Sequence, residues 1–159
     1  MILALDTGTA TGVAWGKIGA TPKLATLRLP DGGRADVGRF FSRFADALHD
    51  MIVDIDPTLI VFEAPFIGGK LVRNMHSARR VIGLPCVVEM LAHRHGIECA
   101  EAGIFDVRGF LLNDRKAKKA PVLPAVVARG LTPANDHEAD AAAVWFYTAH
   151  MRQTTERVT

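Results

Sequence analysis

Carboxylates stand at the ends of apolar runs in this chain. Asp6 closes Ile2-Leu3-Ala4-Leu5, Glu63 closes Leu59-Ile60-Val61-Phe62, and Asp140 lies inside the alanine-rich stretch N-D-H-E-A-D-A-A-A-V that begins at Asn135. A carboxylate at the rim of an apolar element is costly to desolvate unless it is paired or coordinates a cation. His137 and Asp140 are three residues apart and Asp136 precedes Asp140 by four, so on a helix all of them lie near one face. If the two runs are neighbouring strands and the helix docks beside them, Asp6, Glu63, His137 and Asp140 form one acidic pocket that repels itself when empty. A divalent cation is the natural counter-charge, and an oxygen-rich set without thiolate favours Mg²⁺ or Mn²⁺ over Zn²⁺. Two such ions about 3.5–4 Å apart activate a water on one side of a phosphodiester and stabilise the leaving oxygen on the other. Each acid also has a plainer explanation. Asp6 and Glu63 suit turns, and Asp136 and Glu138 complement a helix N-terminus. Asp140 has no such alternative.

The elements that must position these residues follow from periodicity. Residues 2–5 read as a strand buried on both faces, Thr7 to Gly12 as a turn, Val13 to Trp15 as the returning strand, and Lys23 to Leu29 as a third. Val37, Phe40, Phe41, Phe44, Leu48, Met51 and Ile52 recur at helical spacing up to Asp56-Pro57. Thr58 to Phe62 is a second fully buried strand. Leu71 to His95 reads as a helix bent or broken near Gly83 and Pro85, Ile97 to Ala100 as a short strand, and Phe105 to Leu111 and Val122 to Arg129 as helices. The last helix is capped by Asn135, with Glu138 completing an N-cap box, and Ala139, Ala142, Ala143, Trp145, Phe146 and Ala149 form its apolar face. Strands and helices in this order predict a mixed α/β domain with helices on both faces of a sheet.

Composition narrows the classes. The chain has 159 residues, 49% hydrophobic and 23% charged, enough for one domain with its own core and unlike disordered or collagenous chains. No apolar run approaches the roughly 20 residues of a membrane span and no signal segment opens the chain, so a cytoplasmic protein is expected. Cys86 and Cys99 form no C-x-x-C pair and read as reduced thiols. Glu89, His93, His95 and Cys99 do not make the paired pattern of a structural zinc site. Asp6-Thr7-Gly8-Thr9 is similar to the phosphate-binding turn of actin-like and sugar-kinase ATPases, but those close two domains around a nucleotide, and no P-loop is present, so no nucleotide cofactor is expected. Ser42 and Ser77 lack the setting of a nucleophile elbow. The net charge of +2 permits an anionic partner without demanding one.

Asp6 in I-L-A-L-D-T-G-T-A-T-G-V-A-W, Glu63 in L-I-V-F-E-A-P-F, and His137 with Asp140 in N-D-H-E-A-D-A-A-A-V resemble the RuvC family of Holliday junction resolvases, from residue 2 to about 150. The resemblance implies a ribonuclease H-like fold with a mixed five-stranded sheet and helices on both faces, one nuclease domain over residues 1–152 and a short tail over 153–159. It also implies a Mg²⁺-dependent structure-selective endonuclease, active as a homodimer, that resolves branched DNA in recombination and repair. In that role Asp6, Glu63, Asp140 and either His137 or Asp136 bind two Mg²⁺ ions, with Mn²⁺ substituting. Some relatives carry Asp where this chain has His137. Phe66 matches an aromatic residue implicated in opening the junction, and Lys70, Arg73, Arg79, Arg80, Arg108, Lys116, Lys118 and Lys119 are the expected backbone contacts. The glycine-rich lead into the last of these is missing. The competing readings are a catalytically silent DNA-binding or assembly module of the same fold, and a related nuclease acting on RNA or an RNA/DNA hybrid.

Overall fold

The computed structural model describes residues 1–29, 36–65, 75–116 and 121–156. Three strands come first, β1 (Ile2–Asp6), β2 (Ala10–Gly16) and β3 (Lys23–Arg28), followed by α1 (Val37–Ile55), β4 (Leu59–Glu63), α2 (Met75–His95), β5 (Glu98–Ala102), α3 (Ile104–Leu112), α4 (Val122–Val127) and α5 (Asp136–Glu156). The sheet has five strands in the order β3-β2-β1-β4-β5. β2 runs antiparallel to β1 and β3, while β1, β4 and β5 are parallel. This is the mixed sheet that the order of elements predicts.

Alternation along the strands explains why both faces carry helices. Leu3, Leu5, Val13, Ile60 and Phe62 point to one face and are buried against Phe40, Phe44, Leu48 and Ile52 of α1 and Leu84, Val88 and Leu91 of α2. Ile2, Ala4, Ala14, Leu59 and Val61 point to the other, where α3, α4 and α5 cover them. A sheet covered on both sides needs the unbroken apolar runs seen in β1 and β4. The alanines of α5 let its backbone lie close to the sheet, where it packs across β1 and β2.

Several elements depart from the periodicity reading, each for a local reason. β2 begins at Ala10, so the turn after β1 is confined to three residues. The buried Thr11 closes it, donating from Oγ1 to the Gly8 carbonyl at 2.9 Å and accepting from the Gly8 N–H at 3.2 Å. α1 is capped by Asp36, whose Oδ1 accepts from the Gly38 N–H at 3.0 Å, and it stops where Asp56 turns left-handed at φ 50° before Pro57. α2 is continuous through Gly83 and Pro85 rather than broken there. A Cβ on Gly83 would stand 2.3 Å from the Phe41 ring, so glycine is the residue that lets α1 and α2 approach. The expected start of α2 at 71–74 lies outside the described residues. β5 extends to Ala102, α4 stops at Val127, and α5 continues to Glu156.

Candidate active site

β1 and β4 are parallel neighbours, with Leu5 opposite Phe62, so Asp6 and Glu63 emerge at adjacent strand ends on one edge of the sheet. The third participant arrives on α5. Asp6 pairs with Gly12 across β1 and β2, and Gly12 pairs with Thr26 across β2 and β3, so the three form one row running across the sheet. The first turn of α5 sits on that row.

Each member of the row makes a different contact. The Asp6 Oδ2 atom lies 3.0 Å from Nδ1 of His137. A Cβ on Gly12 would fall 1.8 Å from the His137 carbonyl oxygen, so only glycine leaves room for the helix end. Thr26 donates its hydroxyl to Oε1 of Glu138 at 2.8 Å and accepts from Nδ2 of Asn135 at 2.7 Å. Glu138 is buried, and its Oε2 accepts from the Ala134 N–H at 2.8 Å, while Asn135 Oδ1 caps the helix by accepting from the Glu138 N–H at 3.1 Å. The N-cap pair therefore does more than start a helix: it bolts α5 to β3 and fixes where His137 lies. Gly12 and Thr26 were not singled out by the sequence, since their partners come more than a hundred residues later in the chain.

Asp6 is 16% exposed at its side chain and His137 40%, so the pair borders solvent. A carboxylate oxygen accepts, so this contact places the imidazole N–H on Nδ1 of His137. Metal-ligating histidines are commonly oriented by a carboxylate in this way. Asp140 stands one turn further along α5 and is buried. The donors fit a hard divalent cation in chemical type, being carboxylates and one imidazole at an open rim. Their spacing falls short of the expected pocket: among the described residues, no group of three or more His, Cys, Asp or Glu side chains is gathered so as to hold a metal ion. The contact resolved among them is the one between the Asp6 carboxylate and the His137 imidazole.

The expected DNA contacts divide. Phe66, Lys70, Arg73, Lys118 and Lys119 lie outside the described residues. Arg79 and Lys116 are exposed and Arg108 is half-buried. Arg80 is a correction: it is buried, with its guanidinium carbon 5.0 Å above the centre of the Phe40 ring, so stacking on α1 takes it away from any backbone it was expected to grip. Arg115, adjacent to Lys116, is held by Asp106 at 2.7 Å.

No protein-family model and no curated protein sequence matches the chain. Solved structures do. RuvC of Thermus thermophilus is 18% identical, covering 97% of this chain and 96% of its own, with a TM-score of 0.72. The same protein in complex with a Holliday junction substrate gives 20% identity, the same coverage and a TM-score of 0.76. The yeast mitochondrial Holliday junction resolvase Ydc2 gives 10% identity over 99% of this chain and 84% of its own, with a TM-score of 0.59. The chain has the RuvC fold. The ribonuclease H-like architecture expected from the sequence is thereby borne out. Among the described residues, no helix is long and apolar enough to cross a membrane.

Proposed function

We propose that this protein is a metal-dependent, structure-selective endonuclease that resolves Holliday junctions and other branched DNA by phosphodiester hydrolysis, serving recombination and repair in the cytoplasm. The observation that carries the reading is the Asp6–His137 contact beside the end of β4, on a fold shared with a structure that holds a Holliday junction substrate. Asp6, Glu63 and Asp140, with His137 or Asp136, would hold Mg²⁺, and Mn²⁺ would substitute. Two bound ions would supply an activated water and charge stabilisation for the leaving oxygen.

The chain's own residues do the positioning. The Asp6 carboxylate orients the His137 ring through Nδ1, and the Thr26–Glu138–Asn135 contacts keep the first turn of α5 from drifting off the row. Exposed Arg79 and Lys116, with Arg108, would contact phosphates. A homodimer suits a two-fold junction, and α2 carries a fitting surface: Met75, Ile82 and Met90 are exposed, with the exposed Cys86 between the last two, at spacings that keep them on one helix face.

Competition among a four-way junction, a plain duplex and an RNA/DNA hybrid, with Mg²⁺ present, tests the proposal. Preferential cleavage of the junction supports it. Preferential cleavage of the hybrid assigns the same site to a different substrate, and absence of any cleavage points to a silent module.

A further inference from the structure

Away from the acidic edge, α1 and α2 are joined by two imidazoles. His49 lies on α1 and His95 is the last residue of α2, and both are exposed. Nδ1 of His49 is 2.9 Å from Nε2 of His95, with ring centroids 5.0 Å apart and ring planes inclined by 44°. At this separation one ring donates and the other accepts, so a single proton sits between two nitrogens that both point into the same gap.

That gap has the dimensions of a chelate. With metal–nitrogen bonds of about 2.0–2.1 Å, two imidazoles in adjacent positions of an octahedral or square-planar ion bring their nitrogens to roughly 2.9 Å, and in a tetrahedral ion to roughly 3.4 Å. The observed 2.9 Å already meets the first arrangement. Because both rings are exposed, the small rotations that would aim both lone pairs at one point displace no packed neighbour.

The electrostatic setting favours a cation. His95 occupies the last turn of α2, where the helix presents its negative end. From Ala45 to Pro57 the chain carries Asp46, Asp50, Asp54 and Asp56 and no Lys or Arg, and Asp46 precedes His49 by three residues on the same side of α1. Arg94 is the opposing charge beside the pair. Imidazole nitrogens select borderline transition ions and not Mg²⁺, which requires oxygen ligands. The half-buried Cys99 is no competitor as a ligand, since burial, reinforced by Glu89, pushes its thiol up to about 11.

We propose that His49 and His95 form a second metal site, for a borderline divalent ion such as Ni²⁺ or Zn²⁺, which ties α1 to α2. Position separates it from the carboxylates as clearly as chemistry does. α2 ends where β5 is about to begin, so the pair lies toward the end of the sheet opposite Asp6 and Glu63. The remaining coordination positions are filled by water.

The test is calorimetric titration of the full chain with Ni²⁺, in a buffer containing millimolar Mg²⁺. Wild type is expected to bind one equivalent beyond any taken up at the carboxylate edge, and Ni²⁺ is expected to raise its melting temperature. His49→Ala and His95→Ala should each weaken binding by at least about 10- to 100-fold, since losing a ligand costs no less than losing a ligand's supporting partner. Both should also lose the thermal gain, while remaining folded by circular dichroism because neither side chain is in the core. His93→Ala and His137→Ala should keep the one equivalent. Wild-type binding that survives in His49→Ala or His95→Ala, or that disappears in His137→Ala, overturns the proposal, as does a wild type that does not bind.

Discussion

Gly12→Ala isolates the contact on which the site depends. The added Cβ would stand 1.8 Å from the His137 carbonyl oxygen and 2.3 Å from its carbon, where real Cβ contacts essentially never fall below 3.0 Å. Both obstacles are backbone, so no side-chain rotation relieves them, and the first turn of α5 must lift by about 1.2 Å or β2 must sag by as much. Overpacking of this kind costs roughly 1–3 kcal/mol, and alanine's lower unfolded-state entropy returns about 0.4–1 kcal/mol, leaving a net loss of roughly 1–2 kcal/mol. For a domain of this size that lowers the melting temperature by about 2–8 °C. The larger consequence is local. Lifting the turn draws His137 off Asp6, and misplacing a catalytic group by about 1 Å costs on the order of 10²-fold in rate. Thermal denaturation gives the first quantity, and junction cleavage at saturating Mg²⁺, measured below the melting transition, gives the second. A Gly12→Ala protein that melts within about 1 °C of wild type and cleaves at the wild-type rate would show that the helix end does not rest on this strand, and the positional argument would fail.

Three further outcomes follow from other contacts. Glu138→Ala removes the acceptor for both the Thr26 hydroxyl and the Ala134 N–H and should destabilise by about 1–3 kcal/mol; a cycle with Thr26→Val should give a coupling of at least about 0.5 kcal/mol, and strict additivity would dissolve the proposed bolt. Cys99 stays protonated until its raised value of about 11, whereas an unfolded thiol ionises near 8.5, so stability should fall as pH rises from about 8.5 to 11; in the monomeric Ile82→Glu protein at pH 8, iodoacetamide should modify exposed Cys86 well before Cys99, and equal labelling of the two would contradict the burial. Ile82→Glu places a charge on the exposed stripe of α2 and should convert a dimer to monomer in light scattering without lowering the melting temperature of the isolated domain, and an unchanged mass would move the interface elsewhere.

What could be read from the sequence was what depends on neighbours along the chain. The runs ending in Asp6 and Glu63 identified themselves as buried strands because both faces of the sheet are covered, and Asn135 with Glu138 announced the start of α5 by cap chemistry alone. The misses concern contacts between distant segments. Gly12 looked like a turn glycine, yet it is a strand residue whose missing side chain accommodates a helix end from the far part of the sequence. Gly83 and Pro85 looked like a break in α2, but the Phe41 ring occupies the space a side chain at 83 would need, and the helix continues. Arg80 looked like a surface cation until the Phe40 ring beneath it was in place. Spacing along the chain showed that Asp6 and Glu63 end strands and that His137 and Asp140 share a helix, but not the distances between side chains from distant segments: Asp6 meets His137, while among the described residues no three such side chains gather as a metal-holding group.

The central claim is that Asp6, fixed against His137, supports metal-dependent strand cleavage. Its most direct test is Asp6→Asn assayed on a synthetic four-way junction with Mg²⁺, following binding and nicking in the same samples. The amide keeps the size of the side chain and removes its charge, so the variant should bind the junction as wild type does and fail to cut it. An Asp6→Asn protein that still nicks the junction at the wild-type rate would contradict the account.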